Sequence, residues 1–170
     1  MTEKKSLVLG GIPVTVYSNS QHTSRPVAVL FLLHGRYGSA NAVEWVAESL
    51  LNGIRNREAE RHAEHELLIV TFDHRNHGER LVNPVANHHW QKEKPEQHNE
   101  RHAIDMYSIQ VGTTRDVSFL IDFLPAYLYP NDEREISKWL VAGISLGGHS
   151  TWLSLRHEPR VTVGIPIIGM

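Results

Sequence analysis

The chain has 170 residues, of which 41% are hydrophobic, 21% charged and none cysteine. That length fits one domain spanning 1–170, its apolar share rules out wholesale disorder, and no apolar run approaches the ~20 residues of a membrane span. Lys and Arg number 17 against 19 acids, which leaves no electrostatic footprint for nucleic acid, and the lack of cysteine excludes disulfides, thiolate metal sites and thiol nucleophiles.

Near the start, Lys4 and Lys5 precede a short apolar run that imitates a secretory leader, but Gly10-Gly11 and Pro13 interrupt it. A β-hairpin over about residues 6–17, turning on the glycine pair, fits better. No Asn-x-Ser/Thr sequon occurs, so a cytoplasmic protein is expected. Residues 27–33 form a continuous apolar run, the pattern of a strand buried on both faces of a parallel sheet. After a turn, Val43, Val46, Ala47, Leu50, Leu51 and Ile54 keep helical spacing, which predicts a helix over about 41–57. A second buried strand is expected at 67–72, ending in Asp73.

Residues 81–102 are polar, carry Pro84 and Pro95, and show no periodicity. They read as a long loop or short cover segment bordering the site, with Trp90 as an apolar wall. Apolar residues then return at helical spacing over 103–128, with Gly112 as the position where that helix is expected to bend or divide. A strand at about 138–143, a helix reaching His157 and stopped by Pro159, and a last buried strand at 161–168 complete the order. Strands alternating with helices make a doubly wound, mostly parallel α/β sheet in three layers, with the hairpin antiparallel at its edge. Chemistry in such sheets gathers at the carboxyl ends of the strands.

Three motifs fall there. Gly143-x-Ser145-x-Gly147 lies between a strand and a helix. In a nucleophile elbow the serine takes a strained backbone, flanking glycines relieve steric clash, and the next helix aims its N-terminus at the serine oxygen. The plainer alternative is a glycine-rich turn with an incidental serine. His34-Gly35 follows the first central strand. An oxyanion needs two donors, and the Leu146 and Arg36 backbone N–H groups are the expected pair, with the His34 side chain as a brace for the loop. Asp73-His74-Arg75-Asn76-His77-Gly78-Glu79-Arg80 tempts a catalytic or metal assignment, yet a rigid polar turn satisfying its own backbone is favoured.

Histidine is in excess, at 12. His62 and His65 are three apart and His98 and His102 four apart, but none makes a metal-binding pattern, so solvated surface histidines and no metal are expected. His149, just inside the helix after Ser145, is expected to be neutral and structural.

At these residues the chain resembles the α/β-hydrolase superfamily. "FLLHGRYGS", "FDHRNHGER" and "GISLGGH" look like its oxyanion-loop strand, its D-x-R-x-H-G turn and its elbow, in the right order. The His77-Gly78-x-Arg80 ending and the long helix before the elbow look most like the esterase and dienelactone-hydrolase-like branch. The resemblance implies a serine carboxylesterase that acts on small-molecule esters without a cofactor. It also implies an acid and then a histidine after later strands. Beyond Ser145 the chain offers only His149, His157 and Glu158, none placed as the family places them. The expectation is therefore the N-terminal part of a longer hydrolase, inactive alone, whose strand at 161–168 is an uncovered edge prone to self-association. Two rivals stay open: a non-catalytic interaction module, and a hydrolase-fold acyltransferase or peptidase.

Overall fold

The computed structural model describes residues 2–19, 25–58 and 63–169. Thr2–Leu9 (β1) and Ile12–Asn19 (β2) pair antiparallel from Thr2 opposite Asn19 to Leu9 opposite Ile12. Gly10 and Gly11 take φ of 54° and 83°, the left-handed conformation that a two-residue hairpin turn requires. Val27–Leu33 (β3), Glu44–Glu58 (α1), Glu66–Phe72 (β4), His102–Leu128 (α2), Ile136–Ile144 (β5), Leu146–His157 (α3) and Val161–Ile167 (β6) follow. The sheet runs β1-β2-β4-β3-β5-β6. The four later strands are mutually parallel, and β2 joins them antiparallel to β4.

Strand alternation divides the core in two. From β3, Val27, Val29, Phe31 and Leu33 pack on one face with Val117, Leu120, Ile121 and Leu124 of α2. Leu30 and Leu32 pack on the other with Ala47 and Leu51 of α1. Phe31 stacks on Trp139 at 5.9 Å and meets Phe72 edge-on at 6.4 Å, so one ring ties three adjacent strands. No helix among the described residues is long and apolar enough to cross a membrane.

Two expectations fail. α2 runs unbroken through Gly112. The glycine instead makes room for Arg75, whose Cδ would lie 2.5 Å from a Cβ placed there. The last strand is not buried, although its place as an uncovered edge is as expected: Val163, Ile165 and Ile167 are 44%, 48% and 39% exposed, because β6 has β5 on one side and no further strand on the other among the described residues. Between β4 and α2 the chain makes short 3-10 turns at Gly78–Arg80, Pro84–Asn87 and Pro95–Gln97, and α2 already begins at His102.

Candidate active site

β5 ends at Ile144 and α3 begins at Leu146, so Ser145 alone makes the turn between them. Its φ of 53° and ψ of −108° lie where a non-glycine residue is strained. The neighbours explain why this turn is feasible. A Cβ on Gly143 would overlap the Gly147 carbonyl, and one on Gly147 would come within 2.6 Å of the Leu33 carbonyl oxygen. The Ser145 N–H donates to the Ile167 carbonyl at 2.8 Å, and its carbonyl accepts from His149 N–H at 3.1 Å. The serine itself is exposed.

Leu33 pairs with Gly143 across β3 and β5, so the loops after these strands leave the sheet side by side. A Cβ on Gly35 would meet Ser145 Cβ at 3.8 Å. Arg36, Ser145 and Leu146 line one cavity of about 210 Å³ with His102, Met106, Gln110 and His149. The sequence motifs thus converge with the first turns of α2, which no motif announces. A larger cleft of about 450 Å³ lies between the hairpin and the Ser39–Asn41 turn and lacks Ser145.

Behind the loop, His34 and His74 are fully buried and lock each other. His34 Nδ1 contacts the Gly35 carbonyl at 2.7 Å, and Nε2 accepts from His74 N–H at 3.1 Å. His74 Nε2 donates to the His34 carbonyl at 2.8 Å, and its Nδ1 faces Thr113 Oγ1 at 2.7 Å. Carbonyls only accept, so His34 carries its proton on Nδ1 and His74 on Nε2. Burial pushes His34 down to about 4 and His74 well below its ordinary value. Both rings are neutral struts.

The Asp73 turn is tied partly to itself and partly to the Ala40 turn and α2. Asp73 accepts from Ala40 N–H at 2.6 Å and Glu79 N–H at 2.7 Å. Arg75 and Arg80 both bind the buried Asp116 carboxylate, at 2.8 and 2.9 Å. His77 is buried, with Nδ1 on the Arg75 carbonyl at 3.1 Å and Nε2 unpartnered; burial lowers its pKa. Among the described residues no cluster of three or more histidine or acidic side chains is arranged to hold a metal.

His98 and His102, expected at the solvated surface, are half-buried and bonded to backbone. His98 Nδ1 accepts from Gln91 N–H at 2.8 Å, and His102 Nδ1 donates to the His88 carbonyl at 2.8 Å. His149, expected to be structural, faces the Ser145 cavity. His62 lies outside the described residues.

No family model matches the chain, and no curated protein does. Solved structures do. TT1662 from Thermus thermophilus matches with a TM-score of 0.59 at 22% identity, over 91% of this chain and 51% of its own. A cold-adapted esterase from an Arctic intertidal metagenomic library gives 0.59 at 17%, over 96% and 58%. A protein described as a dienelactone hydrolase from Klebsiella pneumoniae gives 0.58 at 13%, over 99% and 60%. The chain has the α/β-hydrolase fold. It spans about half to three fifths of the length of these structures.

Proposed function

We propose that the protein of which these residues form part is a serine hydrolase of carboxylesterase type, acting on small-molecule esters. One observation carries this: a strained serine and the loop after β3 meet in a single cavity at the carboxyl edge of the sheet. The esterases among its structural neighbours support it. Ser145 Oγ attacks the ester carbonyl, and the Arg36 and Leu146 N–H groups hold the oxyanion. The N-terminus of α3 adds partial positive charge at the same point. The alcohol leaves, and water then releases the acid from the acyl-serine. The backbone, not the His34 ring, supplies the donor, because both ring nitrogens of His34 are engaged.

The acid and base of a full triad are proposed to come from parts of the longer protein outside these residues. Glu158 is no substitute: its carboxylate is clamped by Arg160 at 2.7 Å, which holds it down at about 2. Without both partners, ester turnover by the 170-residue chain is expected about 10³–10⁶-fold below a complete enzyme of this kind. Exposure to a fluorophosphonate, followed by peptide mass spectrometry, should show slow modification of Ser145 and none in Ser145→Ala. Modification that bypasses Ser145 overturns the assignment.

A further inference from the structure

We propose that a cavity between α2 and the far end of α3 binds a small carboxylate with an aryl or branched-alkyl body. The cavity holds about 300 Å³, against about 210 Å³ beside Ser145, and is lined by Tyr107, Val111, Thr114, Arg115, Leu153 and His157. At ~30 Å³ per water its space equals roughly ten molecules, enough for one ring or branched chain with its carboxylate. Leu153 and His157 lie about 10 and 16 Å along α3 from Leu146, at 1.5 Å per residue. The site is therefore separate from the Ser145 cavity and does not depend on that serine being a nucleophile.

Helical spacing builds the two walls. Tyr107, Val111, Thr114 and Arg115 stand at i, i+4, i+7 and i+8 on one face of α2, and Leu153 and His157 are four apart on α3. The apolar members are surplus to the core. Tyr107 is 61% exposed, and neither Val111 nor Leu153 packs with any of the three buried clusters. Beside this face the helices are pinned together. The buried Thr114 hydroxyl lies 3.3 Å from the Ser150 carbonyl and 3.1 Å from that of Gln110.

Charge selects the ligand. Arg75 and Arg80 hold Asp116, and Arg160 holds Glu158 and Asp122. Arg115 has no such acid. Among the described residues its guanidinium has no hydrogen-bond or ion-pair partner, and neither has the Tyr107 hydroxyl or the His157 ring. No carboxylate lines the cavity. A guanidinium fork takes a carboxylate through two parallel N–H bonds, with the Tyr107 O–H or a His157 N–H as a third donor. Val111, Leu153 and the Tyr107 ring then receive the apolar body. An inorganic anion would leave these apolar walls wet, and a neutral hydrocarbon would leave the guanidinium unmatched.

The test titrates the 170-residue chain with phenylacetate, with its neutral analogue 2-phenylethanol and with acetate, following backbone amide shifts by NMR. The expected result is saturable phenylacetate shifts confined to about residues 107–115 and 153–157, with affinity on the order of tenfold above either analogue. Arg115→Gln should bring phenylacetate down to the level of 2-phenylethanol and leave the affinity for the alcohol unchanged. Arg156→Gln removes an exposed charge that does not line the cavity, so the preference for phenylacetate should survive it.

Arg115 is exposed and makes no bond among the described residues, so its substitution should leave the melting temperature unchanged and a lost preference reports binding rather than folding. Equal affinity of the wild type for phenylacetate and 2-phenylethanol overturns the proposal. An equal loss in Arg115→Gln and Arg156→Gln also overturns it, because net charge would then be the cause. Shifts centred on Arg36 and Ser145, or shifts that never saturate, do the same.

Discussion

β3 and β6 are both seven-residue, mostly apolar strands, yet every residue of β3 is buried and in β6 only Val161 is. β3 lies between β4 and β5 with α1 on one face and α2 on the other. β6 has β5 along one edge and α3 against one face, where Leu155 would meet a Cβ on Gly164. An apolar run states how much surface a strand must lose to water; whether anything covers it depends on its neighbours. The two regions are nonetheless joined at the site. The Ile167 carbonyl takes the Ser145 N–H, and a Cβ on Gly148 would stand 2.8 Å from Gly169 Cα. The uncovered strand therefore helps to hold the strained turn.

Truncation in the two strands should separate them most sharply. Phe31→Ala removes a buried ring from between Phe72 and Trp139 and should cost about 3–5 kcal/mol in urea unfolding. Ile165→Ala, on the half-exposed strand, should stay within ~0.5 kcal/mol. A penalty at Ile165 as large as that at Phe31 would mean that β6 is covered in solution.

Acid should weaken the covered half next. Folded His34 titrates at about 4 against ~6.5 when unfolded, and burial lowers His74 and His77 as well. Between these values the unfolded chain binds more protons than the folded one, so stability is complete above pH ~6.5 and falls steadily toward pH 4. Thermal melting across that range should show the decline, and His77→Gln should make it only somewhat shallower, since His34 and His74 remain. A melting temperature constant from pH 7 to 4.5 would contradict neutral buried rings.

The smallest effect on stability, and the clearest on association, belongs to the exposed strand. Ile165→Lys with Ile167→Lys should leave melting nearly unchanged while shifting gel-filtration elution from self-associated species toward monomer. Elution already at the monomer volume in the wild type would remove self-association as a property of this edge.

Sequence legibility follows the same division. The glycine pair of the hairpin, the apolar run of β3 and the Gly143-x-Ser145-x-Gly147 turn are local signals, and each could be read from a few adjacent residues. The role of Gly112 is not a local signal, because its reason is Arg75, 37 positions earlier in the chain, reaching Asp116 across the face of α2. The place of His102 is non-local for the same reason. Its spacing from His98 is visible, but its two determinants, the His88 carbonyl and the Ser145 cavity, come together only once the irregular segment has folded back. The exposure of β6 was not legible in its own residues: its hydrophobicity points to burial, and only its pairing with β5 alone among the described residues leaves it open.

The backbone of Ser145 has one more consequence. A conformation at φ 53° and ψ −108° suits glycine, and a side chain there carries on the order of 1–3 kcal/mol of strain. Selection for thermal robustness alone would favour erasing the hydroxyl in favour of a bare glycine. With Ser145 as the proposed nucleophile, a serine at this corner sets durability against reactivity, concentrated in a single residue and borne by the glycines around it.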